Sequence, residues 1–429
     1  MKVLHISPTY FPATGGAELH LKKISEALVC RGHEVTVLTF NVPSHWDLLP
    51  GRDGHLPKSE IINGVNVIRL SPQSGLLGNA LASWVELKGG WRSASWVFGH
   101  DGMEMLLQGP PVFMVIPYIL SSNADIVASM NWYWRSAYHT YLARRLKRFT
   151  MVGIPLFHAA QAWCERPIYK KMLASCDAVL VNTSHEKKFV QQRGATRAEV
   201  TGVGINPTEF EERRGDVARE RYGLGAFPVV GFVGRQIAKK GVLKLIESMQ
   251  TVWDWNKEVR LVLAGPRHPK EKEIERRIET LSESQKRRII NIGSFEEKDK
   301  ASLFDAFDVF ALPSKEESFG IAYLEAWACG KPVLGARMGA TRCVINDGVD
   351  GLLVDPDDAE DIARAIVELL SDRDKREKMG RSGHDKTMAR YTWDKVTDRV
   401  ERLYLELAAA RPAGPSFLAR ARRLHPWTQ

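Results

Sequence analysis

The stretch VFALPSKEESFGIAYLEAWACGKPVLGA, residues 309–336, reads as strand, loop, helix and strand. VFALPS and PVLGA are short apolar runs of strand type. Between them the apolar residues continue for helical length, with Ser318 placed as N-cap and Gly330 as the stop. The expected helix has almost no polar face, yet Glu325 sits in its middle. An unpaired buried carboxylate is costly, so Glu325 needs either an internal Lys or Arg or a ligand. Glu317, on the loop, lies eight residues before it. At helical rise that separation is about 12 Å, comparable to the span from hexose to ribose in a nucleotide diphosphate sugar.

The same alternation extends along the chain. KVLHIS, EVTVLTF, ADIVAS, TMVGIPL, AVLVN and VTGVG read as strands of the first half. PVVGFVG, RLVLAG, RIINIGS, VFALPS, PVLGA and GLLVD read as strands of the second. AELHLKKISEALVCRGH is an amphipathic helix ended by Gly32. Apolar runs separated by helices indicate parallel sheets covered on both faces. The fold class is therefore α/β, with two doubly wound Rossmann-like domains facing across a cleft. Residues 1–205 would form the first domain and 206–390 the second, divided at the turn-rich GINPTEF. Residues 391–411 would form a C-terminal helix returning to the first domain, and 412–429 a basic tail. Residues 42–60 and 74–110 fall outside the alternation and carry Trp46, Trp84, Trp91 and Trp96.

Composition narrows the function. The 429 residues carry a formal net charge of +9, which suits an anionic partner: nucleic acid, lipid or a phosphorylated small molecule. Cys30, Cys164, Cys176, Cys329 and Cys343 show no paired or metal-ligand spacing, which suggests a reducing, cytoplasmic setting. The apolar run PPVFMVIPYIL is too short for a membrane span, and MKVLHIS lacks the apolar core of a signal peptide.

Ligands of open parallel sheets bind beyond the carboxyl ends of the strands. After the first strand, Gly15 and Gly16 precede a helix and would let bare N–H groups approach a phosphate, unless they merely make a flexible turn. After GFVG, Arg235 and Lys240 follow on a loop; they are either phosphate ligands or solvated charges. Glu317 can accept from sugar hydroxyls and Glu325 from a ribose diol. The diphosphate between them would lie near the N–H groups of Phe319 and Gly320.

These residues carry a resemblance. ESFGIAYLEAWACGKPV resembles the E-x7-E segment of the retaining glycosyltransferases of family 4, which have the GT-B fold. SPTYFPATGGAELHLKKISEALVCRGHEVTVLT resembles that family's opening, GRQIAKKG its phosphate-binding loop, and NDGVDGLLV its late donor-side turn. The resemblance covers most of the chain. It implies transfer of a hexose from UDP or GDP, with retention and no metal cofactor, to a glycan or lipid-linked acceptor of envelope polysaccharide synthesis. It implies that Arg235 and Lys240 hold the diphosphate, Glu317 the hexose and Glu325 the ribose. His158 would sit beside the sugar, and Ser294 and Phe295 of NIGSF beside the base. The chain departs from the family pattern at Ala340 and Cys343 in MGATRCV, at AGPRHP, and at Ala159 after His158. These departures bear on the identity of the donor sugar.

Two other readings remain. A nucleotide-sugar epimerase shares the two-domain build and needs no acceptor. A non-catalytic basic module would bind nucleic acid or membrane, but no zinc or helix-turn-helix signature supports nucleic acid. The tail AGPSFLARARRLHPWTQ mixes Arg with Phe417 and Trp427, which suits either peripheral attachment to an anionic membrane face or a solvated end.

Overall fold

The computed structural model describes residues 1–13, 15–43, 48, 55–71, 114–157, 162–267 and 272–410. Its strands make two sheets. The first contains β1 (Lys2–Ile6), β2 (Glu34–Phe40), β3 (Ser59–Ile62), β4 (Val65–Leu70), β5 (Ile126–Met130), β6 (Met151–Ile154), β7 (Ala178–Val181) and β8 (Ala198–Val200). Their order is β3-β4-β2-β1-β5-β6-β7-β8. The second contains β9 (Val229–Val233), β10 (Arg260–Ala264), β11 (Ile289–Gly293), β12 (Val309–Leu312), β13 (Val333–Ala336) and β14 (Gly351–Val354). Their order is β11-β10-β9-β12-β13-β14. In each sheet the strand order reverses beside the first strand, as in doubly wound folds. Every residue of β5, β7, β9 and β12 is buried, because helices cover both faces.

Three local readings need correction. First, the sheet is not wholly parallel: β3 and β4 pair antiparallel. Asn63 and Gly64, at φ 47° and 82°, make the tight turn between them. β3 also lies partly inside 42–60, so that segment is not all irregular. Second, VTGVG is not a strand beyond Val200; the chain turns at Gly202, φ 73°. Third, Ser318 is not an N-cap. The helix is Ile321–Ala328 and its N-cap is Gly320, at φ 91°, a left-handed conformation that glycine adopts readily. The 12 Å estimate between Glu317 and Glu325 assumed helix throughout; residues 317–320 are loop instead. His158, residues 74–110 with their tryptophans, Trp46 and the tail 412–429 lie outside the described residues.

The last helix, Trp393–Ala409, lies against helix Gly16–Cys30 of the first sheet. His5 Nε2 and Tyr404 Oη are 3.2 Å apart, and Arg31 Nη1 donates to Glu401 Oε2 at 2.7 Å. The Ile205 N–H donates to the Tyr391 carbonyl at 2.8 Å, where the chain leaves and re-enters the first sheet. The carboxyl edges of both sheets bound a cavity of about 510 Å³. Phe157, Thr183 and Glu186 line it from one side and Glu317, Ser318 and Ala340 from the other.

Candidate active site

The second sheet brings two loops together because β9 and β12 are neighbours. The β9 loop holds Arg235 and ends in a short turn, Ala238–Lys240. Gly241, at φ 78°, then starts helix Val242–Trp255. A Cβ on Gly241 would stand 2.1 Å from the Pro313 carbonyl oxygen, so only glycine lets this turn press against the β12 loop. The Lys315 N–H donates to the Lys239 carbonyl at 3.0 Å, which ties the loops. The result is that Lys240 Nζ donates to Glu317 Oε1 at 2.6 Å. Both side chains are mostly shielded, at 19% and 9% exposure. Beside them Lys239 Nζ donates to Glu316 Oε1 at 2.8 Å. Arg235 is exposed on the same loop.

Glu325 has an internal partner. Lys300 Nζ lies 3.0 Å from its Oε1, and the same ammonium also binds Glu297. Burial lifts the Glu325 carboxyl above its usual range, and Lys300 offsets only part of that lift. Burial pushes the Lys300 ammonium down, but Glu325 and Glu297 together more than reverse this, leaving it above its usual range. The difference is one of count: Lys300 meets two carboxylates, whereas Glu325 meets one ammonium and feels other acids nearby.

The remaining sites expected from sequence are placed as follows. Phe319 is buried with its ring edge-on to Tyr391, 5.4 Å between centroids, so it can offer a ligand only backbone. Gly16 opens helix Gly16–Cys30 and faces Ile321 across the cleft; a Cβ there would lie 3.7 Å from the Ile321 Cδ1. Gly15 has a different constraint, since a Cβ would meet Glu18 Oε2 at 2.3 Å. Glu18 is buried in the first turn and accepts from Thr9 Oγ1 at 2.5 Å, so a carboxylate already occupies this positive helix end. Ser294 is exposed, and Phe295 packs on the core. Beneath them Gln236 and Asn291 exchange amide hydrogen bonds, 3.0 Å each way, joining the β9 and β11 loops.

Sequence reasoning missed Glu186. Thr183 caps helix Ser184–Gln191 and accepts from the Glu186 N–H at 3.2 Å. The buried carboxylate accepts from the Phe157 and Asn182 N–H groups, both at 2.9 Å. It therefore fixes two loops of the cleft, including the one that precedes His158. Burial raises its pKa to about 7, against the opposing effect of these two hydrogen bonds. The Thr-x-x-Glu spacing of a capping box was the available signal. Lys300, the other omission, left no local signal, because it meets Glu325 from a different helix.

Among the described residues, no group of three or more His, Cys, Asp or Glu is placed to hold a metal ion, and no helix is long and apolar enough to cross a membrane. Residues 14–209 match the family model described as Glycosyltransferase Family 4, and residues 218–386 match that described as Glycosyl transferases group 1. A D-inositol 3-phosphate glycosyltransferase of Corynebacterium urealyticum is 30% identical over 309 residues, 66% of this chain and 72% of that one. Among solved structures, sucrose-phosphate synthase from Thermosynechococcus elongatus superposes with a TM-score of 0.72 at 21% identity, over 96% of this chain and 100% of that one. HepE of Anabaena, solved in complex with UDP-glucose, gives 0.71 at 19% identity, over 95% and 100%.

Proposed function

The chain belongs to the GT-B glycosyltransferases of the family 4 and group 1 type, and on that premise we propose that it moves a hexose from UDP or GDP to an acceptor hydroxyl with retention. The observation that carries this reading is the Lys240–Glu317 pair at the cleft, with Arg235 on the same loop. It sets two cations beside the carboxylate that a hexose would meet. On donor binding, Glu317 exchanges the ammonium for sugar hydroxyls, and Lys240 and Arg235 take the diphosphate. Glu325 accepts from the ribose while retaining Lys300. Residues 1–205 form the acceptor side, 206–390 the donor side, and 391–411 the returning helix.

The acceptor oxygen bonds to the anomeric carbon on the face the diphosphate leaves. The bond from that carbon to the phosphate oxygen breaks, and the leaving oxygen takes the acceptor proton. Arg235 and Lys240 meet the growing negative charge, so their attraction strengthens as the bond breaks. The chain supplies this charge stabilisation itself, which favours a metal-independent reaction. Acceptors of glycan or lipid-linked type fit the family, and the basic tail fits peripheral work at the inner membrane face. Calorimetric titration of UDP and GDP tests the donor reading: one should bind, and Arg235→Ala should weaken it. Binding of neither would remove the reading.

A further inference from the structure

Helix Arg135–Leu146 begins just past the carboxyl end of β5, on the edge of the first sheet where ligands of such sheets bind. Its first residue is Arg135, and it is only 5% exposed. A cation at this position is misplaced on two counts. A helix N-terminus carries partial positive charge and favours anions; Arg144 and Arg145 in the last turn follow that rule, and Arg135 reverses it. A buried guanidinium also needs a counter-charge, yet no carboxylate of the described residues pairs with Arg135, and its buried Nε has no hydrogen-bond partner. Burial alone pushes its pKa down to about 9. His139, one turn on, is pushed down to about 3 by burial and then by Arg135, so it stays neutral and adds no second charge.

The adjoining residues share the imbalance. The Ser129 hydroxyl near the end of β5 and the Ser136 hydroxyl beside Arg135 are both buried without a hydrogen-bond partner. A guanidinium fork, a helix N-terminus and two hydroxyls offer many donors at one strand end, more than a single carboxylate can use. A phosphate presents enough oxygens to accept from them all.

We propose that Arg135, Ser136 and the N-terminus of helix Arg135–Leu146, with Ser129, form a phosphate-binding subsite in the first domain, and that the acceptor is a phosphate-bearing molecule. The acceptor assignment rests on the transferase reading; the binding of phosphate does not. The subsite is separate from Arg235 and Lys240, which belong to the second sheet.

The test is thermal unfolding in the Arg235→Ala/Lys240→Ala background, which removes the proposed diphosphate ligands. Inorganic phosphate is titrated at constant ionic strength against chloride. A saturable rise in the unfolding temperature is expected, lost in the added Arg135→Gln variant and partly kept in Arg135→Lys. Without phosphate, Arg135→Gln should unfold at the same temperature as its parent or higher, because it removes an uncompensated buried charge. A phosphate response that survives Arg135→Gln, a rise that never saturates, or an Arg135→Gln protein that unfolds earlier or fails to fold would each overturn the proposal. Two further ligands identify the source of the phosphate. Glycerol 3-phosphate reproducing the shift points to a soluble phosphomonoester. Response only to vesicles of phosphatidylglycerol and phosphatidylcholine points to a lipid headgroup. If phosphate binds but no nucleotide sugar is consumed, the transferase reading fails while the subsite stands.

Discussion

Lys300 Nζ lies 3.0 Å from Glu325 Oε1, and this pair accounts for a carboxylate in the middle of an apolar helix. It does not exhaust the carboxylate, which has a second oxygen to offer a ribose. The two roles separate on mutation. Glu325→Ala should lower both stability and donor affinity, the latter about tenfold to a hundredfold, as expected for a charged hydrogen bond of about 1.5–3 kcal/mol. Lys300→Ala should lower stability by a similar amount and affect donor affinity much less. Equal losses of stability with donor affinity unchanged in both would leave Glu325 as a structural residue only.

Lys240→Ala should depress kcat more than it raises KM, because its partner charge grows in the transition state. Steady-state kinetics with a saturating acceptor reads this. An unchanged kcat with a raised KM would reduce Lys240 to an anchor. Activity should also survive chelator; loss restored by Mg or Mn would contradict the metal-independent reaction.

Glu186 predicts a pH dependence of stability. Its folded pKa, about 7, is raised from 4.5, so the folded protein holds this proton more tightly than the unfolded chain. Its contribution is therefore fully present below about pH 4.5 and is lost as pH rises to about 7. At about 1.4 kcal/mol per pH unit, the loss is on the order of 3 kcal/mol. Urea unfolding at several pH values should show this fall in the parent and a flatter profile in Glu186→Gln. Parallel profiles would mean that Glu186 titrates as an ordinary carboxyl.

For the tail, sedimentation with anionic vesicles should show binding at low salt that weakens as salt rises, since screening shortens the reach of its charges. Deleting residues 412–429 should abolish it. Binding that ignores the deletion would remove the tail from the account.

The second half of the fold was legible because its strands are buried on both faces and read as continuous apolar runs. β3 and β4 were missed although Asn63-Gly64 is a strong turn signal: both strands are short and half exposed, so their apolar pattern is weak. The helix start was misplaced because Ser318 is a good cap by type, whereas the backbone turns at Gly320. Lys240 and Glu317 were each named from sequence, but their contact depends on strand order, which places β9 beside β12 across 76 residues of chain. Arg135 gave no signal at all, since burial of a charged residue is a property of packing and not of spacing.

Time-resolved proton NMR of the enzyme with α-linked UDP- and GDP-hexoses tests retaining transfer most directly. The account predicts that at least one donor releases its nucleoside diphosphate, and that the hexose first appears as the α anomer, before mutarotation or in the acceptor product. A β anomer appearing first, a rearranged nucleotide sugar with no diphosphate released, or no change in any donor would contradict it.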